Sequence, residues 1–244
     1  MFNVIVTGAS RGLGLGIATA LADKGYRVIG VARSESAALT AASRAAKDTG
    51  RGSIEYRACD LAEIDRIGPF VRDVRADFGP IYGLVNNAGL GTAGMLGTMR
   101  DADIERLIRL NTLSPIVLTK YALRSMMSER QGRIVNISSI VAATGYTGLS
   151  VYSATKSSLV GFTRSLAREV GALGITVNAI APGFIDTDMT HDLTAAQREQ
   201  IGRRSALGRM AEAVDVARSV EFLFGESGRN ITGTVLTVDA GNTA

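Results

Sequence analysis

Seven short runs rich in β-branched residues alternate with longer amphipathic stretches along this 244-residue chain, and the alternation limits the possible folds more than any single motif does. The runs Asn3–Thr7, Arg27–Ala32, Ser53–Ala58, Tyr82–Asn86, Arg133–Ser138, Ile175–Ile180 and Thr234–Val238 read as strands. Helical periodicity fills the intervals at Leu13–Lys24, Ala37–Thr49, Glu63–Phe78, Asp103–Ser128, Val151–Leu173, Ala195–Ile201 and Glu212–Phe224. Strands joined through helices return in parallel, and right-handed crossovers set those helices on both faces of the sheet. The expected fold is α/β, a doubly wound seven-stranded parallel sheet with ligands beyond the carboxyl ends of its strands. No repeat and no Pro/Ser-rich linker divides residues 1–244, so one domain is expected. From about 183 to 208 the alternation lapses into a short helical pattern without a strand, which fits a lid over the site or an ordinary surface excursion.

Directly after the first run comes Thr7-Gly8-Ala9-Ser10-Arg11-Gly12-Leu13-Gly14, which opens a helix. In the Rossmann arrangement Gly8 permits the sharp turn, Gly12 lets backbone approach a pyrophosphate, and Gly14 allows close helix packing, while the helix N-terminus offers N–H groups to the anion. A ligand-free strand-to-helix turn is the other reading of such glycines. At the end of the second strand, where an NAD enzyme carries an acid for the ribose hydroxyls, this chain has Arg33 and Ser34. Arg33, with Arg11 in the glycine turn, can pair with a 2′-phosphate, so NADP(H) is the expected cofactor; plain surface charge is the alternative for each arginine taken alone.

Composition closes off other classes. The formal net charge of +4 comes from arginines scattered along the chain, with no basic run interleaved with aromatics, so no nucleic-acid partner is expected. No stretch is long and apolar enough to span a membrane, and the apolar pattern starts at Phe2 without a basic leader, so no cleaved secretory segment is expected. The single Cys59 cannot form an intramolecular disulfide; a reduced, cytoplasmic setting and a buried thiol are the simpler readings. His191 is the only histidine, and without a second one or an acidic cluster at ligand spacing it reads as an exposed lid residue, with no metal expected.

Further along stand Asn86-Asn87-Ala88-Gly89 after the fourth strand, Ser139 after the fifth, Tyr152-Ser153-Ala154-Thr155-Lys156 beyond it, and Pro182-Gly183 after the sixth. Together with the Gly8–Gly14 turn, these motifs resemble the short-chain dehydrogenase/reductase family over nearly the whole chain. The resemblance implies a catalytic tetrad of Asn111, Ser139, Tyr152 and Lys156, with Tyr152 exchanging the proton, Ser139 holding the substrate oxygen, and the Asn111 amide binding water that relays protons towards Lys156. Tyr152 and Lys156 lie four apart on one helical face. At about 4 Å and an effective dielectric near 20, an ammonium there favours the phenolate by ~4 kcal/mol, about three pKa units, so Tyr152 is expected to titrate near neutrality. The resemblance also places Asp60 and Leu61 at the adenine, Asn87, Ala88 and Gly89 along the ribose, and Pro182, Gly183, Ile185 and Thr187 around the nicotinamide. For Asp60, capping the helix that begins near Ala62 is an equal alternative.

Within the family, Thr163–Val170, Gly174–Asn178 and Ala181–Met189 are similar to the bacterial 3-oxoacyl-acyl-carrier-protein reductases. That similarity implies a 3-oxoacyl thioester substrate, on an acyl carrier protein or coenzyme A, and a homotetramer packed through the two long central helices. Arg130 is a candidate contact for an acidic carrier beside the cleft entrance. Two departures bear on this: Leu173 precedes Gly174 where many such reductases have arginine, and Gly91–Gly97 is unlike that group. Another ketone, alcohol or quinone is the alternative within the family, and a non-catalytic dinucleotide sensor or scaffold is the alternative outside enzymes.

Overall fold

A computed structural model describes residues 1–91, 93–185 and 194–244. The strands β1 (Asn3–Thr7), β2 (Arg27–Ala32), β3 (Ser53–Ala58), β4 (Ile81–Asn86), β5 (Gly132–Ile137), β6 (Ile175–Pro182) and β7 (Val235–Val238) form one sheet in the order β3-β2-β1-β4-β5-β6-β7. Every pairing is parallel. Successive side chains of a strand point to opposite faces, so Val4 and Val6 of β1 enter one apolar layer and Ile5 the other. The first layer is covered by α1 (Gly12–Asp23), α2 (Ala37–Thr49) and α8 (Ala213–Phe224) through Ile17, Leu21, Leu39, Val220 and Phe224. On the second face α3 (Ile64–Phe78), α5 (Ser114–Glu129) and α6 (Ser150–Val170) bury Ile67, Val71, Leu118, Met126, Leu166 and Val170. Cover on both faces is why the inner strands read as nearly unbroken apolar runs, each such side chain contributing roughly 1.5–3 kcal/mol by leaving water.

The chain leaves β1 in one direction to reach β2 and lays β4 on β1's other side, so the strand order reverses between β1 and β4. The crevice outside the carboxyl ends at that reversal is where an open α/β sheet binds its ligand.

The predicted helix over Asp103–Ser128 is interrupted. It consists of α4 (Asp101–Ile108), a π-helical turn over Arg109–Leu113, and α5. Pro115 has no N–H to offer the Asn111 carbonyl four residues back, so the α ladder fails there and a wider turn takes its place. The remaining described element of the 183–208 excursion is α7 (Ala195–Arg204), opened by a capping box between Thr194 and Gln197. Thr187 and His191 lie outside the described residues. Leu107, Leu118, Leu159 and Leu166 are buried within their own chain, and Leu110 and Phe162 pack against the second apolar layer. Cys59, expected to be buried, is half-exposed in the connection from β3 to α3. No helix among the described residues is long and apolar enough to cross a membrane.

Candidate active site

Gly8, at φ +69°, turns the chain out of β1, and its N–H together with that of Ala9 donates to the Val31 carbonyl at the end of β2. Those two amides are used to fix the turn. The next ones, at the start of α1, face an opening: α1 has no side-chain cap and no acidic residue in its first turn. A methyl group added at Gly12 would meet nothing within 4 Å, whereas one at Gly14 would lie 2.1 Å from the Gly8 carbonyl oxygen. Gly14 therefore serves packing, and Gly12 leaves room above a positive helix end, a cradle that fits a pyrophosphate. Ser10 and Leu13 flank this cradle, half-buried, and Arg11 is exposed at its rim. Arg33 and Ser34 are exposed just beyond β2. The next acid, Glu35, accepts a hydrogen bond from Thr40 Oγ1 at 3.0 Å, within the start of its own helix.

Thr7 ties this turn to β4. Its hydroxyl accepts from the N–H groups of Asn87 and Ala88, both at 2.9 Å, and Asn87 Nδ2 donates to the Thr7 carbonyl at 2.8 Å. The Asn87 side chain is thus a brace across the crevice. Asp60 accepts from the Ala62 N–H at 3.0 Å in a turn ahead of α3, whose N-cap is Glu63, so Asp60 does not cap that helix; Leu61 is buried beside it. Across the site, Gly183 N–H donates to the Val238 carbonyl, Pro182 ends β6, and Ile185 is 5% exposed, its side chain in the core.

The four residues expected to react come together at the carboxyl end of β5. Ser139 follows that strand in extended conformation, accepts from the Val141 N–H at 3.4 Å, and stands close enough to Tyr152 in the first turn of α6 to act on its phenol. Lys156, one turn on, is buried and donates from Nζ to the Ile137 carbonyl at 2.9 Å. A methyl group at Gly89 would lie 3.2 Å from Asn111 Oδ1 and 3.5 Å from Lys156 Nζ, which places the motif after β4 against both. Burial pushes the Tyr152 phenol up to about 12, with the Ser139 hydrogen bond pulling the other way, and burial draws the Lys156 ammonium down to about 8. This corrects the expected near-neutral tyrosine. The Lys156 nitrogen stands 5.7 Å from the centre of the Tyr152 ring and is directed to a carbonyl, so desolvation outweighs the attraction that a closer contact would give.

A second correction concerns Asn111. Its Oδ1 accepts from the Leu90 N–H at 2.8 Å, and its Nδ2 donates to the Leu90 carbonyl at 2.8 Å and to Thr155 Oγ1 at 3.2 Å. Both amide protons are thereby used. The group suited to hold a water is the Asn111 main-chain carbonyl, which Pro115 deprives of its α-helical donor.

A family model described as short chain dehydrogenase matches residues 3–198. The chain belongs to the short-chain dehydrogenase family. It is 44% identical over 237 residues to the 3-oxoacyl-acyl-carrier-protein reductase FabG of Haemophilus influenzae, covering 97% of this chain and 96% of that one. A blue fluorescent protein from a metagenomic library, solved with NADPH, superposes with a TM-score of 0.91 at 36% identity, over 100% of this chain and 98% of that one. A gluconate 5-dehydrogenase from Burkholderia cenocepacia, solved with NADP and tartrate, gives 0.93 at 27% identity, over 99% and 95%.

Several residues of this short-chain dehydrogenase that shape the site were assigned no role from the sequence. Ser153 Oγ donates to the Val141 carbonyl at 2.6 Å and Ser157 Oγ to the Ala142 carbonyl at 3.2 Å, fastening the turn that presents Ser139 onto α6. Ser138 Oγ donates to the Lys156 carbonyl at 2.9 Å. Thr155 Oγ1 donates to the Tyr152 carbonyl at 2.7 Å while accepting from Asn111. Hydroxyls one helical turn apart signal such stitching, but their partners are remote in sequence. Arg130 is misplaced by the earlier expectation: it precedes β5, at the opposite edge of the sheet, roughly 20 Å of strand away from Ser139. Its guanidinium donates to the Ala172 carbonyl at 3.3 Å.

Proposed function

We propose that this chain reduces the keto group of a 3-oxoacyl thioester to a secondary alcohol, using NADPH. The observation that carries the reading is the Ser139–Tyr152 hydroxyl pair beside a buried Lys156, at the mouth of the crevice that begins with the Gly8–Gly14 turn. NADPH, when bound, supplies the hydride. The α1 N-terminus at Gly12 and Leu13 would hold its pyrophosphate, with Arg11, Arg33 and Ser34 at the 2′-phosphate and Asp60 and Leu61 by the adenine. Asn87, Ala88 and Gly89 would follow the ribose, and Pro182, Gly183, Ile185 and Thr187 would border the nicotinamide. Ser139 and Tyr152 hydrogen-bond the substrate carbonyl oxygen, and as the carbon gains hydride, Tyr152 Oη gives its proton to that oxygen. Lys156 and water at the Asn111 carbonyl return a proton to the phenol.

The protonation state suits reduction. A phenol held near 12 is fully protonated at neutral pH, which is the form reduction needs, and a secondary alkoxide is basic enough to take its proton. Oxidation would require the phenolate that burial disfavours. The thioester substrate is supported by the 44% identity to a relative named for it. NADPH oxidation measured with 3-oxoacyl thioesters against simple ketones tests the reading: kcat/KM should favour the thioesters by at least about tenfold. Equal or greater efficiency with simple ketones would reject it.

A further inference from the structure

We propose that Asn242, in the segment after β7, is a positioning residue for the ketone substrate: it holds Tyr146, and through Tyr146 the rim of the crevice between Ser139 and Tyr152. The inference rests on the reading above, in which those two hydroxyls hold the substrate oxygen. The connection from Ser139 to Tyr152 is fastened at its start, where Ser153 and Ser157 bond the Val141 and Ala142 carbonyls. Those bonds fix Ser139 on α6 and leave residues 145–148, the rim itself, to be held from elsewhere. On one flank the Gly94 N–H donates to the Gly148 carbonyl at 2.9 Å, joining the rim to the stretch after β4. On the other flank the half-buried Tyr146 ring meets Phe184 edge to face, with centroids 5.7 Å apart and planes at 77°, and its hydroxyl donates to Asn242 Oδ1 at 3.4 Å. The ring pair sets the tilt of the tyrosine, and the hydroxyl bond limits how far it can swing away from Phe184.

Asn242 can serve as an anchor because its own turn is fixed. The Asp239 carboxylate accepts from the Gly241 N–H at 2.8 Å, the Thr243 N–H at 2.9 Å and Thr243 Oγ1 at 2.7 Å, and the Asn242 N–H donates to the Asp239 carbonyl at 3.1 Å. These bonds hold Ala240 at φ +56°, a left-handed conformation that a residue with a side chain adopts at a cost. The turn is seated on the exit from β6: the Gly183 N–H donates to the Val238 carbonyl, and a methyl group at Gly183 would lie 2.6 Å from Asp239 Cβ. From there Asn242 reaches two ways. Its Oδ1 takes the Tyr146 hydroxyl, and its Nδ2 donates at 3.3 Å to the buried Ser205 Oγ, just beyond α7. One amide thus ties the rim to the segment that follows α7, on the side of the crevice where Pro182 and Gly183 stand. Both contacts are long for hydrogen bonds, so the effect of cutting them is a few-fold change and not orders of magnitude.

The test is a double-mutant cycle in steady-state kinetics, run on a 3-oxoacyl pantetheine thioester and on a simple ketone. Tyr146→Phe removes the hydroxyl and keeps the ring, and Asn242→Leu removes its acceptor. Each is expected to raise KM for the ketone about fivefold while kcat and KM for NADPH stay within about twofold, because Ser139 keeps its own fastenings to α6. The double variant should be no worse than about twofold beyond the larger single change, since both substitutions cut the same bond. A variant that merely folds less well would lower kcat through the loss of active molecules and leave KM where it was. Unchanged ketone KM in both single variants, losses confined to kcat, or single effects that multiply in the double variant would each overturn the role of Asn242. A wild type that reduces the simple ketone alone rejects the thioester reading, and the same cycle on that ketone still decides Asn242.

Discussion

The Lys156 ammonium meets the Ile137 carbonyl at the end of β5, and its burial brings the pKa down to about 8 from an ordinary 10.5. Below about pH 8 the folded protein therefore carries a buried charge at a cost in stability, and the cost disappears as pH rises from there through the unfolded value, where only the unfolded chain still binds the proton. For turnover the sign is reversed. Ketone reduction needs the ammonium to resupply Tyr152, so kcat/KM for reduction should be level at lower pH and fall as pH rises through about 8; a profile that climbs across that range would contradict the relay. The i, i+4 spacing revealed that Tyr152 and Lys156 share a helical face. It could not reveal the carbonyl that holds the nitrogen, nor the desolvation that sets both acidities, because Ile137 and Ser139 belong to another element.

The π turn between α4 and α5 and the first turns of α6 are bound together by four side chains. Asn111 clasps Leu90 and Thr155, Thr155 holds the Tyr152 carbonyl, and Thr112 meets Ser158 at 3.0 Å. Thr155 thus acts as a positioning residue through both neighbours. Thr155→Val would leave an Asn111 N–H buried without its acceptor, a loss of about 1–3 kcal/mol. The expected outcome is a kcat lower by about tenfold with KM for NADPH unchanged, and recovery in Thr155→Ser, which restores the hydroxyl. Equal kcat in the valine variant would remove Thr155 from the account. Seven strands and six of the helices were legible because periodicity reports burial directly, but the Asp103–Ser128 pattern joined α4 and α5 across a break that only Pro115 signals. The role of Thr155 was hidden for a different reason: a threonine in a helix is common, and its partner lies 44 positions away.

Across the whole molecule, the strand-order reversal between β1 and β4 gathers the glycine turn, Gly89, the π turn and α6 at one edge of the sheet. That convergence is why motifs scattered from Gly8 to Gly183 form one site, and why the α/β architecture and the positions of these motifs could be read in advance while the distances between them could not. Arg130 illustrates the limit, since sequence proximity to β5 says nothing of which end of the strand a residue occupies. A ligand bound only to the folded chain at 100 times its Kd adds about 2.7 kcal/mol, so NADPH should raise Tm by roughly 5–10 °C in a protein of this size. With Arg33 and Ser34 in place of an acid after β2, NADH at equal concentration should raise it much less; equal shifts would contradict the 2′-phosphate site. The most direct measurement is single-turnover oxidation of bound NADPH by a 3-oxoacyl thioester in Tyr152→Phe, alongside its NADPH affinity. Binding within about twofold of wild type with a rate at least about 100-fold lower is the predicted result, whereas a rate close to wild type would contradict Tyr152 as the proton donor.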